Sequence, residues 1–563
     1  MKRPLLVLGI ILLLGIFLRL FYLGSIPAGF TPDEASQGYT AYSLLKTGRD
    51  EWGLSWPITS FRAFADYRAP LQTYLIIPSV AIFGLNEFAV RLPSAIFGIL
   101  SILAVYLLAN LLFDKKTKLG PIEISLGHVA AFLMAISPWS IQFSRTALEA
   151  NFASFIFPLG LYLFLRGIND SPKLLYLSAV VFGIDLYSYL AAKLFVPLFI
   201  LGVVFLNWKK IWTTDRLKRF SIFIIIIGIF AGPIYLDALF GPGNVRGKDL
   251  IITNFSLENL EGIKNEQYLS PLNSVSPALT RLFSNKYTFT LRQFVTNYVS
   301  YLSPTFLFTE GGRETTYSVF PGFGLLYLWM FPVAIYSLYL IFYKKEKALF
   351  IITIWLLLGI IPAAITKEGY RPNRAGSLIG IWEIITAVGL VEILNSSWFK
   401  KIKGAYILWT IILISLLSYL NLYFFTSRII YPDAMSYGYR ELMSKVIPRE
   451  SRYQKIIFDK GSQSQVFVAF YKQMDPNRYQ SYSKDWWPRI VKDNLLFLDM
   501  LDSYNLDKYT FKSFDPSADI RKGNLVIIKK DKYNPSMEAN VVDKVLYADK
   551  TVAFYLLTYV EKQ

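Results

Sequence analysis

The sequence predicts a polytopic α-helical membrane protein of about 11 transmembrane helices, carrying a C-terminal extracytoplasmic α/β domain. Three observations predict this. The 563 residues are 54% hydrophobic and 17% aromatic. The apolar residues come in long blocks, such as Leu5–Leu23 and Ile222–Ala231, with almost no charge. Backbone polar groups in hydrocarbon must pair within their own segment, so such blocks are helices. After residue 425 the character changes. Polar stretches alternate with short apolar runs, Lys455–Phe458, Leu525–Ile528 and Val552–Leu556, the pattern of a small α/β domain. A chain of this length holds at least two domains.

Hydrophobic candidates fall at 4–23, 71–84, 88–113, 123–142, 147–165, 173–190, 193–208, 220–239, 321–343, 348–366, 375–394 and 404–425. The first begins with Lys2-Arg3 like a signal peptide, but its apolar part is too long and lacks a small-residue cleavage site, so it reads as a retained span. The segment 71–84 is short. At helical rise it reaches only ~21 Å against a ~30 Å hydrocarbon core, and it reads as a juxtamembrane helix. Eleven crossings remain. They place Lys2-Arg3, Lys115-Lys116-Lys118, Lys209-Lys210 with Arg216-Lys218-Arg219, Lys344-Lys345-Lys347 and Lys400-Lys401-Lys403 on one side, which the positive-inside rule makes cytoplasmic.

The chain is thus expected to be multi-pass in the cell membrane, N-terminus cytoplasmic and C-terminal domain extracytoplasmic. Its domains are 1–425, a membrane domain with outer loops 24–87 and 240–320, and 426–563. The formal charge of +18, from 58 Lys+Arg and 40 Asp+Glu, is largely this topological bias, and nucleic acid is not an expected partner. The chain has no cysteine and one histidine, His128. Disulfide, thiolate and multi-histidine metal chemistry are excluded, and His128, at the start of an apolar segment, reads as an interface residue.

The sharpest local feature is Thr31-Pro32-Asp33-Glu34. Thr31 suits an N-cap, Pro32 the first helical position, and Glu34 the return bond of a capping box. The helix should run to about Lys46 and stop at Gly48. Capping gives Asp33 no task, and a carboxylate at the outer surface is a candidate general base for an acceptor hydroxyl. Acidic first turns also arise from the helix dipole alone. Five cations sit at expected outer helix ends: Arg68, Arg145, Lys193, Arg371 and Arg374. Snorkelling explains any one of them. Together they suit a phosphate held at the outer leaflet. Arg145 and Glu149, four apart, could instead form an ion pair, and Asp66 beside Arg68 raises the same alternative.

An ordered set of short motifs carries a resemblance. Pro32-Asp33-Glu34-Ala35 with Gly38-Tyr39 comes first, then Asp66-Tyr67-Arg68-Ala69-Pro70 leading into Phe83–Pro93. Ser137-Pro138-Trp139, Phe143-Ser144-Arg145 and Glu149-Ala150-Asn151 follow. Tyr301-Leu302-Ser303-Pro304 with Phe306-Leu307-Phe308, and Ile361-Pro362-Ala363-Ala364 before Arg371–Arg374, complete it. In this order they resemble membrane glycosyltransferases of the GT-C superfamily, nearest to the bacterial protein O-mannosyltransferase and aminoarabinose-transferase group.

The resemblance implies an inverting glycosyltransferase that moves a sugar from a polyprenyl-phosphate carrier to an extracytoplasmic hydroxyl on a glycan, lipid or protein. It implies Asp33 as base, Glu34 and Glu149 as accompanying carboxylates, and Arg68 as a lipid-phosphate ligand. Arg145, Lys193, Arg371 and Arg374 are the further phosphate-binding candidates. Membrane lipids are the remaining partners. Tyr67 stands where a zinc-ligating Glu belongs in the aminoarabinose branch, with no histidine nearby. No metal ligand is assigned, and a divalent cation stays open only as an alternative cofactor. The β-trefoil insert of the eukaryotic mannosyltransferases is absent. The alternative functions are a lipid-linked substrate transporter or flippase, using the same cations without bond chemistry, and a membrane-anchored binding protein. Transporters favour midplane sites on broken, repeated helices, and here the midspan offers only Asp185.

Overall fold

The computed structural model describes residues 2–206, 208, 214–241, 250–272, 275–312, 315–346 and 348–560. Lys209, Lys210 and Lys347 of the basic clusters, and parts of the 240–320 segment, lie outside them. The principal helices are α1 (Lys2–Leu20), α2 (Pro32–Thr47), α3 (Leu71–Phe83), α4 (Glu87–Leu112), α5 (Leu126–Ile136), α6 (Pro138–Arg145), α7 (Ala153–Asn169), α8 (Pro172–Asp185) and α9 (Ala192–Leu206). They continue as α10 (Thr214–Phe240), α11 (Leu257–Leu272), α12 (Lys286–Ser300), α13 (Met330–Tyr343), α14 (Leu349–Ala364), α15 (Ile381–Asn395) and α16 (Gly404–Asn421). The tail adds α17 (Tyr439–Val446), α18 (Ser464–Lys472) and α19 (Pro476–Lys492).

Among the described residues, every hydrophobic stretch holds a helix or a helix pair. Among the described residues six helices are long and apolar enough to cross a membrane, or seven if α5 and α6, broken at Ser137, count as one span. The segment 71–84 is a 13-residue helix. α8, α9, α13 and α14 hold 14, 15, 14 and 16 residues, about 21–24 Å at helical rise. Local chemistry shortens them. α13 starts only at Met330 because turns occupy Pro321–Trp329, with Gly322 at φ 100°. α14 ends two residues past Pro362, where Thr366 returns its hydroxyl to Ala363 O (2.7 Å).

Contacts divide the chain into two compact units. The first holds Met1–Gly15, Leu100–Ser140 and Ala150–Ile412, the second Ile16–Ile99, Ile141–Glu149 and Leu413–Gln563. In the first unit α7 packs on α8, α8 on α10, α9 on α14, and α15 on α5 and α13. Small polar residues tie these helices: Ser178 Oγ donates to Gly160 O (2.7 Å), and Gly389 N–H donates to Ser337 Oγ (2.9 Å), as is common where helices meet in lipid. Phe157, Phe195, Phe199 and Trp355 form an aromatic core. The basic cluster at 115–118 lies in and beside a hairpin of β3 (Lys116–Leu119) and β4 (Ile122–Ser125); β1 and β2 belong to the second unit, below. His128 closes a capping box at the start of α5, with Ser125 N–H donating to its Nδ1 (3.2 Å).

In the second unit the three apolar runs of the tail become β5 (Lys455–Asp459), β8 (Asn524–Lys529) and β10 (Val552–Tyr559). With β6 (Ser503–Leu506), β7 (Tyr509–Lys512) and β9 (Ala539–Leu546) they form a six-stranded sheet, ordered β6-β7-β5-β8-β10-β9. β5 runs parallel to both neighbours and the other pairs are antiparallel. The first outer segment belongs to the same unit. It holds α2, a hairpin of β1 (Phe61–Ala63) and β2 (Asp66–Arg68), and α3. α2 packs on α3, α18 and α19, and Gly38 allows this, since a Cβ there would lie 2.5 Å from Val90 Cγ2 and 2.8 Å from Phe470 Cε2. Gln480 of α19 donates to Ser43 Oγ (3.1 Å), Thr47 Oγ1 (3.2 Å) and Asp50 O (3.0 Å), fixing the C-terminal end of α2.

Candidate active site

The N-terminus of α2 forms as its sequence requires. Thr31 Oγ1 accepts from Glu34 N–H (3.1 Å), and Thr31 N–H donates back to Glu34 Oε2 (2.9 Å). The helix stops at Gly48, whose φ of 68° is left-handed and suits glycine. Glu34 does more than cap. It is fully buried, and Arg91 Nε donates to its Oε1 (2.7 Å) while Ala147 N–H donates to the same oxygen (3.2 Å). Arg91, in the second turn of α4, also donates to the carbonyls of Leu23, Pro27 and Gly29. Glu34 and Arg91 together fix the chain entering α2. Arg91 is the partner that sequence reasoning missed, although an arginine inside an apolar stretch is itself a signal.

Asp33 points elsewhere. Its side chain is 34% exposed, and Arg68 Nη2, on a side chain only 5% exposed, donates to its Oδ1 at 2.9 Å. Arg68 Nη1 donates to the backbone carbonyl of Asp33 (3.0 Å). The candidate base and the candidate phosphate ligand are therefore in contact. Arg68 closes β2, in register with Phe61, and the chain then turns through Pro70 into α3. Asp66 accepts from Tyr67 N–H (2.7 Å).

Gln37 lies one turn beyond Asp33 on the same face of α2. Its Nε2 donates to Glu149 Oε1 (3.3 Å), so α2 brings the second candidate carboxylate toward the first. Arg145 has a different setting. It is fully buried and donates to the carbonyls of Leu18 (2.8 Å), Phe21 (2.7 Å) and Ile26 (2.9 Å), with its guanidinium 4.8 Å from the Phe424 ring. α6 ends at Arg145, so Arg145 and Glu149 do not share a helical face. The guanidinium ties down the chain leaving α1.

Two further carboxyls lie beside this cluster. Glu51, in the turn after α2, is 2% exposed and takes a hydrogen bond from Ser36 Oγ (3.0 Å). Burial pushes its carboxyl up to about 8, with the Arg68 charge opposing. Burial likewise pushes Asp50 up to about 6, against hydrogen bonds from Leu54 and Trp52 N–H. α3 and α19 contribute to this burial: Tyr74 faces Asp50, Tyr479 faces Glu51, and Gln480 donates to Asp50 O (3.0 Å).

The other three cations belong to the first unit. Arg371 and Arg374 share Glu368: Arg371 Nη2 lies 2.7 Å and Arg374 Nη2 3.6 Å from its Oε2. Arg374 Nη1 also donates to Thr366 Oγ1 (2.8 Å), and the Arg371 N–H donates to Tyr301 Oη (3.3 Å). Lys193 and Arg374 line one cavity of about 510 Å³, whose remaining wall is mostly apolar, including Leu190, Leu194, Ile234 and Ile365. Among the described residues no three His, Cys, Asp or Glu side chains are grouped to hold a metal ion. Tyr67 accepts from Arg62 Nη2 (3.5 Å) and His128 is engaged at the cap of α5. These residues do not fit a zinc site.

Residues 67–235 match the family described as dolichyl-phosphate-mannose-protein mannosyltransferase. This bears out the resemblance carried by the ordered motifs, and Arg68, Arg145, Glu149 and Lys193 lie inside the matched segment. The Bacillus subtilis (strain 168) protein named "Putative mannosyltransferase YkcB" is 27% identical over 206 residues, 36% of this chain and 26% of its own length. The chain thus spans about a quarter of that relative. Among solved structures, ArnT from Cupriavidus metallidurans bound to undecaprenyl phosphate aligns at a TM-score of 0.47 and 13% identity, over 98% of this chain and 97% of that one. The oligosaccharyltransferase AglB from Archaeoglobus fulgidus, in complex with an inhibitory peptide and a dolichol-phosphate, aligns at 0.46 and 16%, over 83% of this chain and 63% of that one.

Proposed function

We propose that this chain is an inverting glycosyltransferase that moves a sugar from a polyprenyl-phosphate carrier to an extracytoplasmic acceptor hydroxyl on a glycan, lipid or protein. The Asp33–Arg68 contact carries the reading, since it places an accessible carboxylate against a buried, fixed cation. When the carrier phosphate takes the Arg68 guanidinium, Asp33 Oδ1 is released to meet the acceptor O–H. The acceptor oxygen attacks the anomeric carbon, the bond from that carbon to the phosphate oxygen breaks with its electron pair going to phosphate, and the acceptor proton passes to Asp33. The Arg68 guanidinium against the phosphate stabilises the leaving charge without a general acid.

Within the first unit, Lys193 and Arg374 beside an apolar cavity have the chemistry to take a phosphate that carries a long hydrocarbon tail. Arg371 is held closer by Glu368 than Arg374 is, at 2.7 Å against 3.6 Å, so more of its charge is already met. Glu149, held by Gln37, has the role of orienting the acceptor. Glu34 and Arg145 are given to the scaffold, because the Glu34 carboxylate and both Nη atoms of Arg145 bond to groups inside the protein. The family match over 67–235 supports the same activity. The topology that goes with it keeps residues 71–84 from crossing and places 426–563 outside the cytoplasm.

The test is to incubate purified protein with a panel of polyprenyl-phosphate sugars and acceptors and to follow release of the lipid phosphate. A flippase or binding protein would leave the carrier intact, so absence of release with every donor would overturn the transferase reading.

A further inference from the structure

The first outer segment buries more polar side-chain atoms than its own hydrogen bonds use. Glu51 Oε2, Gln37 Oε1, both amide atoms of Gln72 and Thr73 Oγ1 are buried and have no partner among the described residues. The four residues are 0–2% exposed. They belong to α2, the turn after it, and the first turn of α3, which packs on α2. Native proteins pair nearly all such atoms, so a cluster left over calls for a ligand.

Glu51 is the most demanding member. Oε1 is held by Ser36 Oγ–H (3.0 Å), which fixes the carboxyl, while Oε2 makes no hydrogen bond of normal geometry; the indole N–H of Trp52, itself buried and unpaired, faces the same carboxyl. Ser36 lies three residues after Asp33, next to it on the helix surface. The groups facing Glu51 are Ser36 and Tyr39 from α2, Asp50 and Trp52 from its own turn, Arg68 from β2 and Tyr479 from α19. The one cation among them, Arg68, is already bonded to Asp33. A carboxylate so placed would lack a counter-ion of its own, whereas a carboxylic acid would not need one.

We propose that Glu51, in its neutral acid form, is a specificity-determining residue of the sugar subsite, with Oε2–H donating to a hydroxyl of the transferred sugar. This rests on the transferase reading above. Burial supports it by keeping the proton on Glu51 up to about pH 8. The acid then serves two partners at once, accepting from Ser36 with one oxygen and donating to the sugar with the other. Gln72, in the first turn of α3, leaves a donor and an acceptor without a partner in the same outer segment. A site built to hydrogen-bond an OH discriminates strongly against an analogue lacking it, because its own buried group is then left unpaired.

The experiment uses the full chain with a polyprenyl-phosphate sugar that it turns over and with the singly deoxygenated forms of that sugar. Wild type should lose at least about 100-fold in kcat/KM on one deoxy donor. Glu51→Gln, whose amide also accepts and donates, should keep kcat/KM within a few-fold of wild type, whereas Glu51→Ala should fall to the deoxy-donor level and lose nothing further on that donor. Wild-type kcat/KM should drop as pH rises through about 8, and Glu51→Gln should lack that limb. Monodispersity and thermal unfolding establish that each variant is folded. A folded Glu51→Ala enzyme with normal rate and normal deoxy-donor discrimination overturns the proposal, and so does a folded Glu51→Gln enzyme as impaired as Glu51→Ala. A wild type that releases lipid phosphate from no donor overturns the transferase reading instead.

Discussion

Arg68 holds Asp33 by two bonds, one to the side-chain Oδ1 at 2.9 Å and one to the main-chain carbonyl at 3.0 Å. The second does not depend on the Asp33 side chain, so Arg68 stays anchored to α2 when the carboxylate turns away. One guanidinium can therefore keep its place while it exchanges a carboxylate for a phosphate, using the fork geometry that suits both anions.

Asp33→Asn should abolish transfer and leave folding and carrier binding largely intact. The amide oxygen can still accept from Arg68, and the capping box does not involve residue 33. Turnover and thermal unfolding measured on one preparation check this. Full activity in Asp33→Asn would remove the residue from the mechanism.

Arg91→Ala should destabilise the protein by about 3–5 kcal/mol, because it leaves the fully buried Glu34 carboxylate without its cation. Glu34→Gln should destabilise less but measurably, weakening the cap and the Arg91 contact together. Thermal unfolding should show both shifts, and both should exceed that of Asp33→Asn.

The capping box at Thr31–Glu34, the stop at Gly48 and the three strands β5, β8 and β10 were all legible in the sequence, since each depends on residues within a few positions of one another. The partners were not. Arg91 reaches Glu34 across 57 positions and Gln480 reaches Ser43 across 437, and no local pattern encodes such contacts. Arg145 was legible as a cation at a helix end, but its task was not, because the three carbonyls it serves lie more than 100 residues earlier. Span length was overestimated for a related reason. Hydropathy registers apolar residues in turns such as Pro321–Trp329 as readily as those in helices.

Glu51→Gln should stabilise the protein increasingly as pH rises from about 5 to 8. Burial raises the Glu51 carboxyl from 4.5 to about 8 in the folded chain. Between these values the folded state holds a proton that the unfolded chain has released, so wild-type stability declines with rising pH. Above about 8 both states are ionised and the penalty is constant. Gln carries no such linkage, and the gap between the two proteins should open across that window to on the order of a few kcal/mol. Thermal unfolding at pH 5, 6.5 and 8 measures it, and a gap that does not change with pH would contradict burial of an ionisable group here.

On the proposed topology, a reporter domain fused to the C-terminus should be active only outside the cytoplasm, since the positive-inside rule would put the basic clusters between the apolar helices on the opposite face. Activity confined to the cytoplasm would invert the proposed topology and detach residues 426–563 from an outer-face reaction.

The phosphate ligands give the strongest separation between catalysis and anchoring. Arg68→Ala and Arg374→Ala should each lower turnover by about two to three orders of magnitude, the size of effect seen when one charge-stabilising donor is lost. Arg68→Lys should recover part of this, since a point charge still meets phosphate but cannot span a carboxylate and a carbonyl as the fork does. For Arg374 the structure supplies a control. Glu368 lies 3.6 Å from its Nη2 and 2.7 Å from Arg371 Nη2, so this carboxylate competes with any phosphate for both guanidinium groups. If the arginines bind the carrier, Glu368→Gln should lower the KM for the donor. If they only anchor their loop, Glu368→Gln should reduce thermal stability and leave the KM unchanged. Near-normal turnover in both alanine variants, each verified as folded, would count against a phosphate site at these residues and shift the balance toward transport or binding.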